Sequence, residues 1–297
     1  MYTTILVPLD GSEFSEHALP WAHAVALRTG GAMRLVHVLQ PPPPGPAGVP
    51  TLDAQLEADG REYIWQHLES IAAALDPPPP SGCRCDVRLG EPATALRYAV
   101  RAHNADAIVM TTHGRGGMAR AWLGSVADEL VRTAGVPVLT VRPPSAAPAP
   151  AGPARLERIL VALDGSPLSE SVLPAVRPLA GGTVELVLVR VAPATPEPVY
   201  PPRRPDAEPA PADAESDAYP AAVAARLAED GLCARVMNVT NDDPVEGLLG
   251  AAAAIDADVI ALATHGRGGL RRALLGSVAD RVVRRAGRPV LLHRPRG

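Results

Sequence analysis

Ala107-Ile108-Val109-Met110-Thr111-Thr112-His113-Gly114-Arg115-Gly116-Gly117 is an apolar run that empties into a glycine-rich loop, and seven positions on the chain reads Gly124-Ser125-Val126-Ala127-Asp128. A short apolar run, a glycine loop and a helix start in that order make a strand–loop–helix unit. The same text returns as Val259-Ile260-Ala261-Leu262-Ala263-Thr264-His265-Gly266-Arg267-Gly268-Gly269, followed by Gly276-Ser277-Val278-Ala279-Asp280. The spacing is 152 residues, from 114 to 266 and again from 124 to 276. Two copies of a glycine loop feeding a helix mean two phosphate-cradling sites, or two relics of one ancestral site.

The repetition extends outward to both ends of each half. Ile5-Leu6-Val7-Pro8-Leu9-Asp10-Gly11-Ser12 returns as Ile159-Leu160-Val161-Ala162-Leu163-Asp164-Gly165-Ser166, and Val136-Pro137-Val138-Leu139 as Arg288-Pro289-Val290-Leu291. A short solenoid repeat has a period of roughly 20–50 residues, so this is duplication of a whole domain. A length of 297 residues suits two domains, since domains commonly hold about 150 residues each. The expected division is domain 1 over 1–143, a Pro/Ala-rich linker over 144–154, and domain 2 over 155–297.

Composition narrows the function. The hydrophobic share of 47% is enough for two cores, and a net charge of −4 argues against a general nucleic-acid binder. No apolar stretch reaches the roughly 18 residues of a membrane span. The first residues lead straight into a strand, so neither a signal peptide nor a membrane partner is expected, and the cytoplasm is the expected compartment. Three Cys fit reduced thiols. Cys83 and Cys85 share a strand face but have no second ligand pair nearby, so they read as packing or surface thiols rather than a zinc site. All 28 basic residues are Arg. With no Lys, Schiff-base chemistry and the P-loop lysine are excluded, and phosphate must be held by backbone N–H groups and Arg.

The coarse reading is βαβαβαβαβ in each half. In the first, strands are expected over Thr4–Leu9, Met33–Val38, Cys83–Leu89, Ala107–Thr111 and Val136–Val141. Helices are expected over Ser12–Arg28, Leu52–Leu75, Pro92–His103 and Ser125–Thr133. The second half repeats the order, with strands near Arg158–Leu163, Val184–Val191, Cys233–Val239, Val259–Ala263 and Pro289–His293. Its helices are expected from Ser166, Ser216, Pro244 and Ser277, the first of them irregular because of Pro174 and Pro178. Ala192–Asp213, dense in Pro, reads as a long loop. Strands that are continuous apolar runs belong to a parallel sheet covered on both faces, so the fold class is α/β, doubly wound, in two tandem copies.

In open parallel sheets ligands bind beyond the carboxyl ends of the strands, where strand order reverses. Asp10-Gly11-Ser12 ends the first strand and His113-Gly114-Arg115 ends the fourth. If those strands are neighbours, both loops face one crevice. The helix from Ser125 then aims its free N–H groups and positive dipole end there. Gly114 and Gly124 allow close backbone approach to an anion, and Arg115 reaches phosphate or solvent. The second half offers Asp164, Gly266, Arg267, Gly276 and Ser277.

Blander roles stand beside these. Ser125-x-x-Asp128 and Ser277-x-x-Asp280 fit a capping box with Asp in the place of Glu. Asp10 and Asp164 either tie their own turns or meet a ribose hydroxyl or a metal-bridged phosphate. His113 and His265 read as structural or ligand-lining, because no Ser or Cys nucleophile is matched in both halves. Arg120, Arg271 and Arg272 read as solvated charges. Gly114-x-Gly116-x-x-Ala119 fits the dinucleotide fingerprint formally but follows the fourth strand, and Arg271 breaks it in the second half.

With those residues in place, nearly the whole chain outside the linker and Pro-rich loops resembles a tandem universal stress protein. The nucleotide-binding branch of that family carries Gly-x2-Gly-x9-Gly-(Ser/Thr), and Gly114 to Gly124-Ser125 and Gly266 to Gly276-Ser277 match its latter part. The first Gly is Thr111 in one half and Ala263 in the other, each adding a Cβ where backbone approaches ligand, so the two sites could differ in affinity. The family's aspartate corresponds to Asp10 and Asp164, and its adenine-facing hydrophobic residue to Val38 and Val191. The nucleotide site implied by the resemblance is completed by His113, Arg115, Gly117 and Val126 in one half, and by His265, Arg267, Gly269 and Val278 in the other. It further implies five-stranded sheets of order 3-2-1-4-5, and pairing of domains, or of two chains, through the last strand of each. ATP, ADP or AMP is the implied ligand, with Mg only through the phosphates, in a stress sensor or regulator. Hydrolysis should be slow at most, for want of a Walker lysine, an evident base or an arginine finger. The alternatives are a non-nucleotide dimerisation or scaffold protein of the same fold, and a slow ATPase.

Overall fold

A computed structural model describes residues 1–40, 54–112, 123–143, 149–194, 212–264 and 276–295. The chain divides into two compact units, Met1–Arg155 and Leu156–Gly297.

In unit 1 the strands are β1 (Thr4–Pro8), β2 (Ala32–Leu39), β3 (Cys83–Leu89), β4 (Ala107–Thr111) and β5 (Val138–Val141). They run in the order β3-β2-β1-β4-β5, every pair parallel. Register pairs Ile5 with Met33 on one side and with Ala107 on the other. Ile5, Leu6, Val7, Ile108 and Val109 are essentially closed to solvent, as a central parallel strand covered on both faces requires. The helices are α1 (Glu13–Glu16), α2 (Leu19–Thr29), α3 (Ala54–Ala73), α4 (Pro92–Ala102) and α5 (Ser125–Thr133).

Unit 2 repeats this with β6 (Arg158–Ala162), β7 (Glu185–Ala192), β8 (Ala234–Thr240), β9 (Val259–Ala263) and β10 (Val290–His293). Its order is β8-β7-β6-β9-β10, again parallel throughout. The helices are α6 (Pro167–Glu170), α7 (Leu173–Val176), α8 (Ala212–Glu229), α9 (Pro244–Ala254) and α10 (Ser277–Arg285). Each unit therefore carries the strand order 3-2-1-4-5.

Three expectations need correction. The single helix from Ser12 is two, α1 and α2, interrupted at His17–Ala18. Pro20 sits in the first turn of α2, and with no N–H it cannot bond back to the Glu16 carbonyl, so the helix restarts. Unit 2 breaks in the same way between α6 and α7, before Pro174. The helix placed from Ser216 begins four residues earlier, at Ala212; of the Pro-rich loop before it, residues 195–211 lie outside the described set. The capping boxes are the third correction, taken up with the site. Before residue 155 the chain is held to α2, Ala154 N–H donating to the Pro20 carbonyl at 2.9 Å.

No helix among the described residues is long and apolar enough to cross a membrane.

Candidate functional site

Because β1 lies between β2 and β4, the carboxyl ends of three strands meet at one edge of the unit 1 sheet, and those of β6, β7 and β9 do so in unit 2. The reversal of strand order falls there in both.

The turn after β1 is built by Asp10. Its Oδ1 accepts from the Ser12 N–H at 3.0 Å and from the Ser12 hydroxyl at 2.5 Å. Gly11 takes φ +78°, a conformation that favours glycine. Ser12 then caps α1, its side chain accepting from the Ser15 N–H. Asp164 repeats the arrangement, accepting from the Ser166 N–H at 2.9 Å and hydroxyl at 2.6 Å, with Gly165 at φ +88°. Burial is the largest influence on the Asp164 carboxyl and pushes it up. Hydrogen bonds from Ser166 and Ser169 together outweigh it and hold the group below the usual aspartate value. Both aspartates therefore tie their own turns. A carboxylate has about four acceptor positions, so this duty leaves room for a ligand hydroxyl as well.

Across the edge, β4 ends at Thr111, and Thr112 N–H donates to the Val141 carbonyl at 2.9 Å. Both threonines are buried. The chain returns at Gly124, whose N–H donates to the Thr112 carbonyl at 2.6 Å. A Cβ on Gly124 would stand 3.1 Å from that oxygen, so a side chain here requires the carbonyl to give by a few tenths of an ångström. Gly124, not Ser125, is the N-cap of α5, and no side chain caps the helix. The same holds for Gly276 and α10. The capping boxes are thus overturned: Ser125 and Ser277 are already inside the helix. Asp128 turns instead to Arg132, at 3.0 Å, and Asp280 to Arg284, at 2.7 Å. Because the N-cap is glycine in both copies, it brings no side chain of its own to cap the first-turn N–H groups, and such a helix start can hold an anion.

The two loops enter their helices differently. Gly124 has φ −58° and ψ 151°, open to any residue, whereas Gly276 has φ +84° and ψ 145°. Ala263 is half-buried where Thr111 is buried. Val38 and Val191, near the ends of β2 and β7, are half-buried. The Val191 side chain is taken up by α9, since a Cβ on Gly247 would lie 2.7 Å from its Cγ1.

Of the residues expected from the sequence, Asp10, Val38, Thr111, Gly124, Ser125 and Val126 come to the carboxyl edge of unit 1. Asp164, Val191, Ala263, Gly276, Ser277 and Val278 do so in unit 2. His113, Gly114, Arg115, Gly117, His265, Gly266, Arg267 and Gly269 lie outside the described residues. The sequence reading passed over Tyr219, which stands close to Asp164 and Glu170.

A cavity of about 530 Å³ lies elsewhere, lined by Arg61, Asp86, Arg88, Glu91, Thr94 and Tyr98 among others, at the end of edge strand β3. Its charges answer one another. Arg88 and His103 both bond Asp86, at 2.8 and 2.7 Å, and Glu91 caps α4 through the Ala93 and Thr94 N–H groups. None of the expected ligand residues lines it. Burial, the largest influence, pushes the Cys83 thiol up to about 12, so it is a neutral thiol and a poor metal ligand near neutrality. Among the described residues, no group of three or more His, Cys, Asp or Glu is placed to hold a metal ion.

Comparison with known proteins agrees with this architecture. The sequence profile of the Universal stress protein family matches residues 1–142 and again 155–294. A universal stress protein of Mycolicibacterium smegmatis is 31% identical over 98% of this chain and 97% of its own length. One from Mycobacterium tuberculosis strain H37Rv is 30% identical over 98% and 96%. The crystal structure of a universal stress protein from Archaeoglobus fulgidus DSM 4304 superposes with a TM-score of 0.69 at 20% identity, covering 99% of this chain and 98% of that one. At that identity it speaks for the fold alone. The chain belongs to the universal stress protein family and carries two copies of its domain.

Proposed function

We propose that the protein binds an adenine nucleotide at the carboxyl edge of its sheets and acts in the cytoplasm as a sensor or regulator in the stress response. The observation that carries this is the pair of helix starts at Gly124 and Gly276. Each lies beyond the end of the fourth strand of its unit, and each begins on a glycine, which brings no side chain of its own to cap the first-turn N–H groups. Uncapped N–H groups at a helix start with its positive dipole end are the elements that hold phosphate. Asp10 and Asp164, anchored by Ser12 and Ser166, supply carboxylate oxygens for a ribose hydroxyl. Triphosphate charge beside these carboxylates is repulsive, so Mg, where it enters, comes with the phosphates and not through a protein site. With no Lys in the chain, the phosphates are left to backbone N–H groups and Arg.

Calorimetric titration of the purified full chain with ATP, with and without Mg, tests the reading. Saturable binding is expected, weakened about tenfold at the affected site by Asp10→Asn or Asp164→Asn, the order of one hydrogen bond to a charged group. Absence of binding by ATP, ADP and AMP overturns it in favour of a dimerisation or scaffold protein of the same fold.

A further inference from the structure

Edge strand β3 ends in the cavity of about 530 Å³, a size within the roughly 300–1,000 Å³ usual for small-molecule sites. α3 reaches it with Arg61, α4 with Thr94 and Tyr98, and β3 itself with Arg88 and Leu89. Leu89 is 62% exposed and Tyr98 64%, so a molecule seated there takes apolar surface out of water. The charged groups lining the cavity are Arg61, Arg88, Asp86 and Glu91. Arg88 is spent on Asp86, at 2.8 Å. Glu91 is spent on the Ala93 and Thr94 N–H groups, at 3.0 and 2.8 Å, where the positive end of α4 offsets its charge. Arg61 stands outside this balance. It donates to the Val87 carbonyl at 3.2 Å and has no carboxylate partner among the described residues, so most of its N–H donors are unspent. A guanidinium matches a carboxylate through two parallel hydrogen bonds.

Tyr98 supplies the second element. The Arg88 guanidinium lies over its ring, 5.1 Å from the centroid, and Asp86 holds that arginine in turn. A ring fixed in this way loses little freedom when a second ring packs against it. Unit 2 has neither part. Arg88 lies opposite Val38 in the register of β2 and β3, whereas Val239 lies opposite Val191. Tyr98 follows Pro92, the first residue of α4, at the spacing at which Gly250 follows Pro244, the first residue of α9.

We propose that this cavity of unit 1 binds a small aromatic monocarboxylate, with the carboxylate on Arg61 and the ring against Tyr98 and Leu89. The charge balance sets the class. One unmatched guanidinium calls for one negative charge, a dianionic phosphate would meet Asp86 and Glu91 with its second charge uncompensated, and a cation would face Arg61. The site is separate from the aspartate turns and the helix starts, none of whose residues line it, so it stands or falls apart from the nucleotide reading.

Titration of the purified full chain with phenylacetate and with cinnamate, followed by calorimetry and by ligand-observed NMR, tests the proposal. One saturable site per chain is expected, for which the two acids compete. Phenethylamine, which keeps the ring and reverses the charge, should bind at least about tenfold more weakly, and so should phenylacetate to Arg61→Leu, the order of one charge-assisted pair. Tyr98→Ala should weaken phenylacetate about fivefold, the order of one aromatic contact, while Tyr98→Phe, which keeps the ring, binds as the parent does. Both positions are exposed, and circular dichroism checks that the variants are folded. No saturable binding of either acid overturns the proposal. So does an amine that binds as well as the acids, or binding that Arg61→Leu and Tyr98→Ala leave unchanged. Displacement of phenylacetate by ATP would put it in the nucleotide site and overturn the proposal as well. A chain that binds phenylacetate and no adenine nucleotide upholds this inference and overturns only the functional reading.

Discussion

At Gly124 and Gly276 the sequence is the same and the backbone is not. A Cβ at Gly124 would stand 3.1 Å from the Thr112 carbonyl oxygen, a tight contact, while its φ of −58° suits any residue. Gly276 sits at φ +84° and ψ 145°, close to a region that only glycine enters freely and that costs other residues about 1–3 kcal/mol. Gly276→Ala should therefore destabilise the chain by about that amount. Gly124→Ala should cost less, because the neighbouring carbonyl can give by a few tenths of an ångström and the stiffer unfolded chain offsets part of the loss. Urea unfolding midpoints of the two variants decide it, and an equal or larger loss at Gly124 would show that the difference in φ carries no energy. The shared motif made the two glycines look equivalent, because a repeat reports residue types and not the dihedral angle each copy adopts.

Elements were legible where one local rule decided them. Val259–Ala263 and Ser277–Arg285 emerge from an apolar run and a glycine-bounded polar start. Ser166 before Pro167 caps α6, as that pair suggests. Legibility failed where two rules competed. Ser125-x-x-Asp128 satisfies the spacing of a capping box, but the Gly124 N–H reaches the Thr112 carbonyl, which makes Gly124 the cap and moves Ser125 into the helix. Asp128 is then free to pair with Arg132. The long first helix failed for a similar reason, periodicity running on across Pro20 while the chain could not. The capping assignments are measurable. Ser12 accepts from the Ser15 N–H, and removing a true N-cap costs about 1 kcal/mol. Ser12→Ala should lower stability by that much, whereas Ser125→Ala should fall within about 0.5 kcal/mol of the parent, as for an exposed helix position. Equal losses in thermal or urea unfolding would restore the capping box. Of the site itself, both aspartate turns and both helix starts were readable from the sequence.

At the scale of the whole molecule, duplication gave two units with one topology and then let their ionisable groups diverge. His293 ends β10 opposite Ala263, where unit 1 has Val141 opposite Thr111. Its Nδ1 is closed to solvent without a partner among the described residues, and burial lowers its pKa from the usual 6.5. Asp164 and Asp86 have lowered values, so the stability they contribute is complete above about pH 4 and is lost only as pH falls through their folded values. Cys83, pushed up to about 12 by burial, works at the other end, as does Tyr2, raised chiefly by burial. The unfolded chain releases those protons first, so stability falls as pH rises through about 9 to 10. Between pH 7 and 5 the shifted group in play among the described residues is His293. The unfolded chain binds its proton from about pH 6.5 downward while the folded chain resists, so stability declines as pH falls through that window until the lower folded value is reached. Replacing His293 by valine, the residue unit 1 uses, removes the group from the balance. Urea unfolding at pH 7.0 and 5.5 should show a smaller drop in midpoint for His293→Val than for the parent. The alkaline decline above pH 9 should be the same in both. A parent and variant that lose equal stability on the acid side would mean that the His293 ring is solvated in the folded chain, and that its burial at the end of β10 carries no energetic consequence.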